Sequence, residues 1–255
     1  MFAEPVNMTA DRDTVRLSLA NSLQLDEQES HELVAALNAH FAIDGLQFFA
    51  PFGDRWYVRF SAAEIPETTS PEVAQFKSLA DMQPRSYGTL NWRAIQNEAQ
   101  MLLFTHPVNE ARERQGRAVV SGVWFWGGGV RPLLERTPYT CVIARDPLSL
   151  QLAAQSGATT LPFSPDSLAL AGTDSLLIIP SCAEAMPYFA FAWVDEMTAL
   201  ETIWFQRLSK MLSEGHIEKL NLILPASGTT HTFHATHNNH RLRFWRSTKP
   251  LAAYA

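Results

Sequence analysis

Residues 119–126, Val-Val-Ser-Gly-Val-Trp-Phe-Trp, are an almost unbroken apolar run bounded by Gly116 on one side and Gly127-Gly128-Gly129 on the other. A short apolar run between such breakers reads as a buried strand. It must be covered by other elements, so the chain needs a layered core rather than an isolated hairpin or a helical bundle alone. The composition can supply that core. Hydrophobic residues make up 46% of the 255 positions, with 15 Phe and 7 Trp, and charged residues only 18%. This is the balance of a globular protein, not of a disordered one. The length suits one large domain or two small ones.

The flanking segments give the layers. Residues 26–42 carry Leu33, Val34, Leu37 and Phe41 at helical spacing, with Asp26 or Ser30 as the cap. Leu46–Ala50 and Arg55–Ser61 read as two strands around the turn Pro51-Phe52-Gly53-Asp54. Residues 62–88, rich in Pro, Ser and Thr, read as an irregular connection. A helix from about Asn91 places Trp92, Ile95, Ala99, Leu102 and Leu103 on one stripe. His106-Pro107 interrupts it, and a second short helix runs to Gly116, a C-cap.

After residue 129 the pattern alternates. Strands are expected at Tyr139–Ala144, Ala158–Leu161, Ser175–Pro180 and Leu220–Leu224, with helices at Pro147–Ser156 and Asp195–Ser213. Such alternation points to a mainly parallel sheet with helices on both faces. A last hairpin is expected to pair Thr229–Thr236 with Arg241–Arg246. No internal repeat or low-complexity tract is present.

Several function classes are excluded. The net charge is −6 with no basic run, which argues against nucleic-acid binding. The longest apolar runs, such as 175–180 and 189–194, fall far short of the roughly 20 residues of a membrane helix. Residues 1–13 lack the apolar centre of a signal peptide, and Cys141 and Cys182 make neither a disulfide framework nor a metal site, so reducing cytoplasm is the expected location.

Two stretches could carry chemistry. In residues 97–129, His106, Asn109, Arg112 and Arg114 gather on a short helix, and the following strand delivers Gly127, Gly128 and Gly129. Consecutive glycines can turn N–H groups toward an anion, and Arg is the side chain best suited to carboxylate or phosphate. The alternative is a helix–strand joint whose glycines only permit a turn. No Walker or G-x-G-x-x-G pattern is present, nor a G-x-S-x-G elbow. His231, His234, His237 and His240 recur every third residue, yet extended backbone sends His231 and His234 to opposite faces, so no metal site is expected there. His31-Glu32 and Glu98 read as solvated helix positions, and the two cysteines as core.

The motifs Asn97-Glu98-Ala99-Gln100-Met101, His106-Pro107-Val108-Asn109 and Trp124-Phe125-Trp126-Gly127-Gly128-Gly129 resemble the bacterial RpfE-type regulatory family. Ala3-Glu4-Pro5-Val6, Arg55-Trp56-Tyr57 and Phe244-Trp245-Arg246 agree with it, so the resemblance covers nearly the whole chain. More distantly, residues 106–129 are similar to archaeal-type phosphoglycerate mutases that need no bisphosphoglycerate. His106, Asn109, Arg112, Gly116, Gly127 and Gly129 fit that pattern without a gap, while Val119, Ser121 and Trp126 replace its proline, asparagine and arginine.

That resemblance implies a partial alkaline-phosphatase-like core over residues 119–255, and an α+β portion with a β-hairpin over residues 12–118 resembling the enzymes' inserted domain. The enzymes use two metals and a Ser nucleophile, held by Asp-Gly, Asp-x-x-Gly-His and Asp-His sets after strands. Here Ser181-Cys182-Ala183-Glu184-Ala185 and Pro225-Ala226-Ser227-Gly228 follow the corresponding strands and offer no such set. The expectation is a non-catalytic regulatory or ligand-binding relative with no cofactor, taking a small anionic ligand such as a phosphorylated acid between His106, Asn109, Arg112 and Gly127–Gly129. An active sugar-phosphate enzyme and an interaction protein without ligand stay open beside it, and the sequence names no protein partner.

Overall fold

The computed structural model describes residues 1–11, 14–18, 20–74, 84–85, 88–130, 132–180, 190–226 and 229–237. The chain divides into two units, Met1–Leu133 and Leu134–Ala255. The strand of residues 122–126 falls in the first unit.

In chain order the first unit contains β1 (Phe2–Asp11), β2 (Thr14–Ser18), α1 (Ala20–Leu23), α2 (Glu27–His40), β3 (Gln47–Phe52), β4 (Arg55–Arg59), α3 (Pro71–Ala74), α4 (Trp92–Phe104), α5 (Pro107–Arg114) and β5 (Gly122–Trp126). Its sheet is wholly antiparallel. β4 pairs with β3 and β1, the first half of β1 pairs with β5, and the second half of β1 pairs with β2. Phe2 stands opposite both Tyr57 and Trp126, so β1 is the strand on which the sheet is built.

Alternation along the strands makes two faces. Phe48, Trp56, Val58, Val123 and Phe125 join Leu33, Leu37 and Phe41 of α2 and Trp92, Ile95, Ala99 and Leu103 of α4 in one apolar cluster. Its aromatic contacts are edge-on or tilted, with Trp92 and Phe125 centroids 5.2 Å apart, the arrangement ring quadrupoles favour. Val6, Leu17, Ala74 and Trp124 form a second cluster, joined by Met8 and Trp126. Asp26 caps α2 in a capping box with Glu29.

The second unit contains β6 (Cys141–Ala144), α6 (Pro147–Gln155), β7 (Thr159–Pro162), α7 (Ser167–Leu170), β8 (Ser175–Leu177), α8 (Ala190–Leu200), α9 (Gln206–Glu214), β9 (Lys219–Ala226) and β10 (Thr229–Thr236), with a π-helical turn, Glu201–Phe205, between α8 and α9. β7, β6 and β8 form a parallel sheet in that order. Cys141, Ile143 and Trp204 form one cluster, and Phe163 lies 4.5 Å from Trp204 between ring centroids.

The fold is thus mixed α/β, but the expectation of a mainly parallel sheet does not hold. Among the described residues, parallel pairing is confined to β6, β7 and β8. The strand of residues 219–226 does not extend that sheet: it forms an antiparallel hairpin with β10. β10 pairs with the strand that precedes it rather than with Arg241–Arg246, which lies outside the described residues. No helix among the described residues is long and apolar enough to cross a membrane.

Candidate functional site: the joint of α4, α5 and β5

His106-Pro107 breaks the helix for a local reason. His106 adopts extended backbone, Pro107 takes the first helical position, and the His106 Nδ1 accepts from the Val108 N–H at 3.2 Å. Burial draws the imidazole below its ordinary value, with Glu32 opposing. The acceptor role of Nδ1 requires the neutral ring. At the other end of α5, Gly116 takes a left-handed φ of +68°, and the Arg117 N–H returns to the Arg112 carbonyl at 2.9 Å.

Asn109 is buried and every hydrogen bond it makes is to backbone. Its Nδ2 donates to the Leu103 carbonyl at 2.8 Å and to the Val120 carbonyl at 2.7 Å, and its Oδ1 accepts from the Val120 N–H at 2.8 Å. One side chain thereby fixes the end of α4 and the approach to β5.

Arg112 is only 1% exposed. Its Nε donates to the Ala118 carbonyl at 2.8 Å, one Nη to the Leu23 carbonyl, and the other to the Glu29 carboxylate at 2.6 Å. Burial lowers its pKa from the ordinary value, while the charge of Glu29 opposes that. Arg117 adds bonds to the same carboxylate at 2.9 and 3.3 Å and to the Gln24 carbonyl at 2.9 Å. Glu29 also accepts from the Asp26 N–H at 3.2 Å. A single carboxylate on the first turn of α2 therefore holds two arginines that lie 83 and 88 residues further along the chain. A buried ion pair needs further hydrogen bonds to its charged groups, and each of the three Arg112 nitrogens donates one.

The structure brings His106, Asn109 and Arg112 together on α5 but not with the glycines. Asn109 and Arg112 grip residues 118–120, before β5, whereas Gly127–Gly129 follow its far end. Six residues, 121 to 126, separate Val120 from Gly127, and most of them are β5, so the two ends lie roughly 20 Å apart. Gly127 takes φ +64° and donates its N–H to the Thr68 hydroxyl at 3.1 Å. A Cβ at Gly128 would meet Ile65 at 3.1 Å and the Met1 sulfur at 3.4 Å. Arg114 is exposed and bonds to the Glu110 carbonyl of its own helix.

The sequence reading missed Glu29 and Arg117. Asp26-x-x-Glu29 is a legible capping box, but nothing local shows that its glutamate also meets arginines 83 and 88 residues on. Among the histidines, His234 faces Asn221 at 2.7 Å, His237 meets the Leu212 carbonyl at 2.7 Å, and His240 lies outside the described residues. Among the described residues no three of His, Cys, Asp or Glu gather where they could hold a metal. Cys141 is buried, which raises its thiol pKa above the ordinary value, and Cys182 lies outside the described residues. Glu98 is not merely solvated: it pairs with His40 at 3.0 Å across α2 and α4.

No family model matches the chain. Over 128 residues it is 23% identical to a probable 2,3-bisphosphoglycerate-independent phosphoglycerate mutase of Geobacter sulfurreducens, covering 50% of this chain and 32% of that protein. It is also similar to the solved cofactor-independent phosphoglycerate mutase of Thermoplasma acidophilum, with 13% identity and a TM-score of 0.34, over 87% of this chain and 64% of that one. The chain spans about a third of the first relative's length and less than two thirds of the second's. The similarity to cofactor-independent phosphoglycerate mutases is weak and partial.

Proposed function

We propose that this chain is a non-catalytic regulatory protein, distantly similar to the cofactor-independent phosphoglycerate mutases, whose mutase-like corner does not bind a phosphorylated acid. One observation carries the reading. The residues that keep the mutase-like pattern are spent on architecture: His106 caps a helix, Asn109 clasps two backbone segments, and the Arg112 guanidinium is occupied by two carbonyls and the carboxylate of Glu29. The anion at this corner is the chain's own. An external phosphorylated acid would have to displace a carboxylate held by four N–H donors, in a place that Arg112 fills almost without exposure.

The test is a coupled phosphoglycerate mutase assay with manganese, cobalt or zinc, beside a thermal-shift series with phosphoglycerates. No turnover and no stabilisation are expected. Turnover that is abolished by chelation would overturn the reading. Stabilisation by a phosphoglycerate that Glu29→Gln strengthens would return the corner to ligand binding.

A further inference from the structure

β3 is an edge strand. Among the described residues its only sheet neighbour is β4, with Gln47, Phe48 and Phe49 set against Arg59, Val58 and Tyr57. In an antiparallel ladder alternate residues turn their N–H and C=O groups away from the neighbour, so an edge strand offers a row of unpaired groups to any further strand. The residues of this edge make the offer hazardous. Gln47–Phe52 runs Gln-Phe-Phe-Ala-Pro-Phe, uncharged and rich in aromatics, and Phe49 and Phe52 are 41% and 38% exposed.

The outward groups at the centre of this edge are nevertheless taken. The Phe48 N–H donates to the Asn38 Oδ1 at 2.7 Å, and the Asn38 Nδ2 donates to the Phe48 carbonyl at 3.0 Å. A carboxamide carries a donor and an acceptor, as a peptide unit does, so the Asn38 side chain stands where one residue of a further strand would stand. Leu37 of α2 and Phe41 at its end share the apolar cluster with Phe48 and Val58, which holds the helix close enough to the edge for Asn38 to reach it. Asn is a poor helix former, and here its place in α2 is explained by these two bonds. Asn109 makes the same pair of bonds to Val120, where the chain approaches β5.

We propose that Asn38 is an edge guard: its carboxamide, standing in for a strand, keeps β3 from pairing with the β3 of a second copy. The other protections of this edge lie to either side of Phe48. The Leu46 N–H goes to the Phe41 carbonyl at 3.3 Å. Pro51 has no N–H, and the register with β4 shifts between Phe49 and Phe52. Asn38 alone covers Phe48, where both an N–H and a C=O would be freed. Two identical strands can pair antiparallel about a two-fold axis, so the same segment of a second copy meets the geometric requirement. The proposal does not depend on the function of the corner around Glu29.

Sedimentation velocity and amide I infrared spectra of the whole chain test it. Asn38→Ala is expected to self-associate at roughly 10- to 100-fold lower concentration than the wild type, because two freed backbone groups are costly to leave unpaired. The association should bring an infrared band of intermolecular β-sheet. Phe49→Lys added to Asn38→Ala leaves the tie broken but puts a charge on the edge, and is expected to restore wild-type behaviour. Phe104→Lys added instead replaces another exposed phenylalanine, on α4, and is expected to restore nothing. Asn38→Asp keeps an acceptor for the Phe48 N–H and brings its own charge, so it is expected to sediment as the wild type while melting at a lower temperature. An Asn38→Ala chain that associates no more readily than the wild type overturns the proposal. So does association that Phe49→Lys fails to relieve, that Phe104→Lys relieves equally, or that Asn38→Asp shares, since each would mark unfolding rather than edge pairing.

Discussion

The two units of this chain hold themselves together in different ways. The first is cross-linked by polar side chains that reach the backbone of distant residues: Asn7 to Val119, Trp92 to Glu64, Arg112 to Leu23, and Asn109 to both Leu103 and Val120. The second relies more on apolar packing around Cys141, Ile143 and Trp204; most of its side-chain bonds to backbone are short-range, as from Ser156 and Ser167, with longer ties from Thr140 to Thr173 and from His237 to Leu212. The contrast teaches where each is fragile. A buried polar tie contributes little when intact but leaves unsatisfied groups when one partner is removed. Apolar packing fails more gradually, in proportion to the volume lost.

Paired substitutions give the largest expected effect. Arg112→Ala leaves the Glu29 carboxylate and two carbonyls without their donor, and is expected to destabilise the first unit by about 3–5 kcal/mol. Trp204→Ala is expected to act on the second unit by a similar amount, about 3–5 kcal/mol, through a cavity. Chemical denaturation followed by hydrogen exchange of each unit would resolve them. Equal loss of protection in both units from either change would show that the two unfold as one, and the comparison would collapse.

Gly122→Ala should have a smaller effect, about 1–3 kcal/mol, since the new methyl forces Met8 and Gln100 apart. The loss should be read directly as a lower melting temperature. A variant as stable as the wild type would mean that Met8 moves aside freely.

The smallest expected effect is one of pH. His106 sits below its ordinary value in the folded state because burial disfavours its charge. A group whose folded pKa is depressed binds fewer protons folded than unfolded, so its stabilisation is present above the unfolded value, about 6.5, and is lost as pH falls from there toward the folded value. Protonation also removes the acceptor that caps α5. The melting temperature of the wild type should therefore drop through this window more steeply than that of His106→Asn, which retains a capping side chain without the titration. Identical pH profiles would show that the ring does not titrate with folding.

What could be read in the sequence was local. The cap at Asp26, the helical stripe of Trp92 to Leu103, the His106-Pro107 break and the left-handed Gly116 all follow from residues within a turn or two of one another. The direction of the main sheet was not legible, because its organising strand, β1, is disguised. Phe2–Asp11 contains Glu4, Pro5, Asn7 and Asp11, a composition that argues against a central strand. Pro5 is nevertheless buried opposite Val123. The candidate site failed to be legible in the same way. Spacing brought His106, Asn109 and Arg112 onto one short helix, as it should, but only the third dimension shows that Glu29 is waiting for Arg112 and that the length of β5 separates both from the glycines.

The position of β1 also sets the order in which the first unit can be assembled. Phe2 pairs with Tyr57 and with Trp126, so β1 has one neighbour that lies 55 residues later and another that lies 124 residues later. Closing loops of that length precedes most of the reward, which places such a topology among the slower folders. During synthesis α2 and the β3–β4 hairpin can form as they emerge, but β1 must wait beside them, with one edge open, until residue 126 has been added. For that interval Val6 and Met8 are exposed to solvent and to other nascent chains, so the unit's most demanding moment in the cell comes before it is complete.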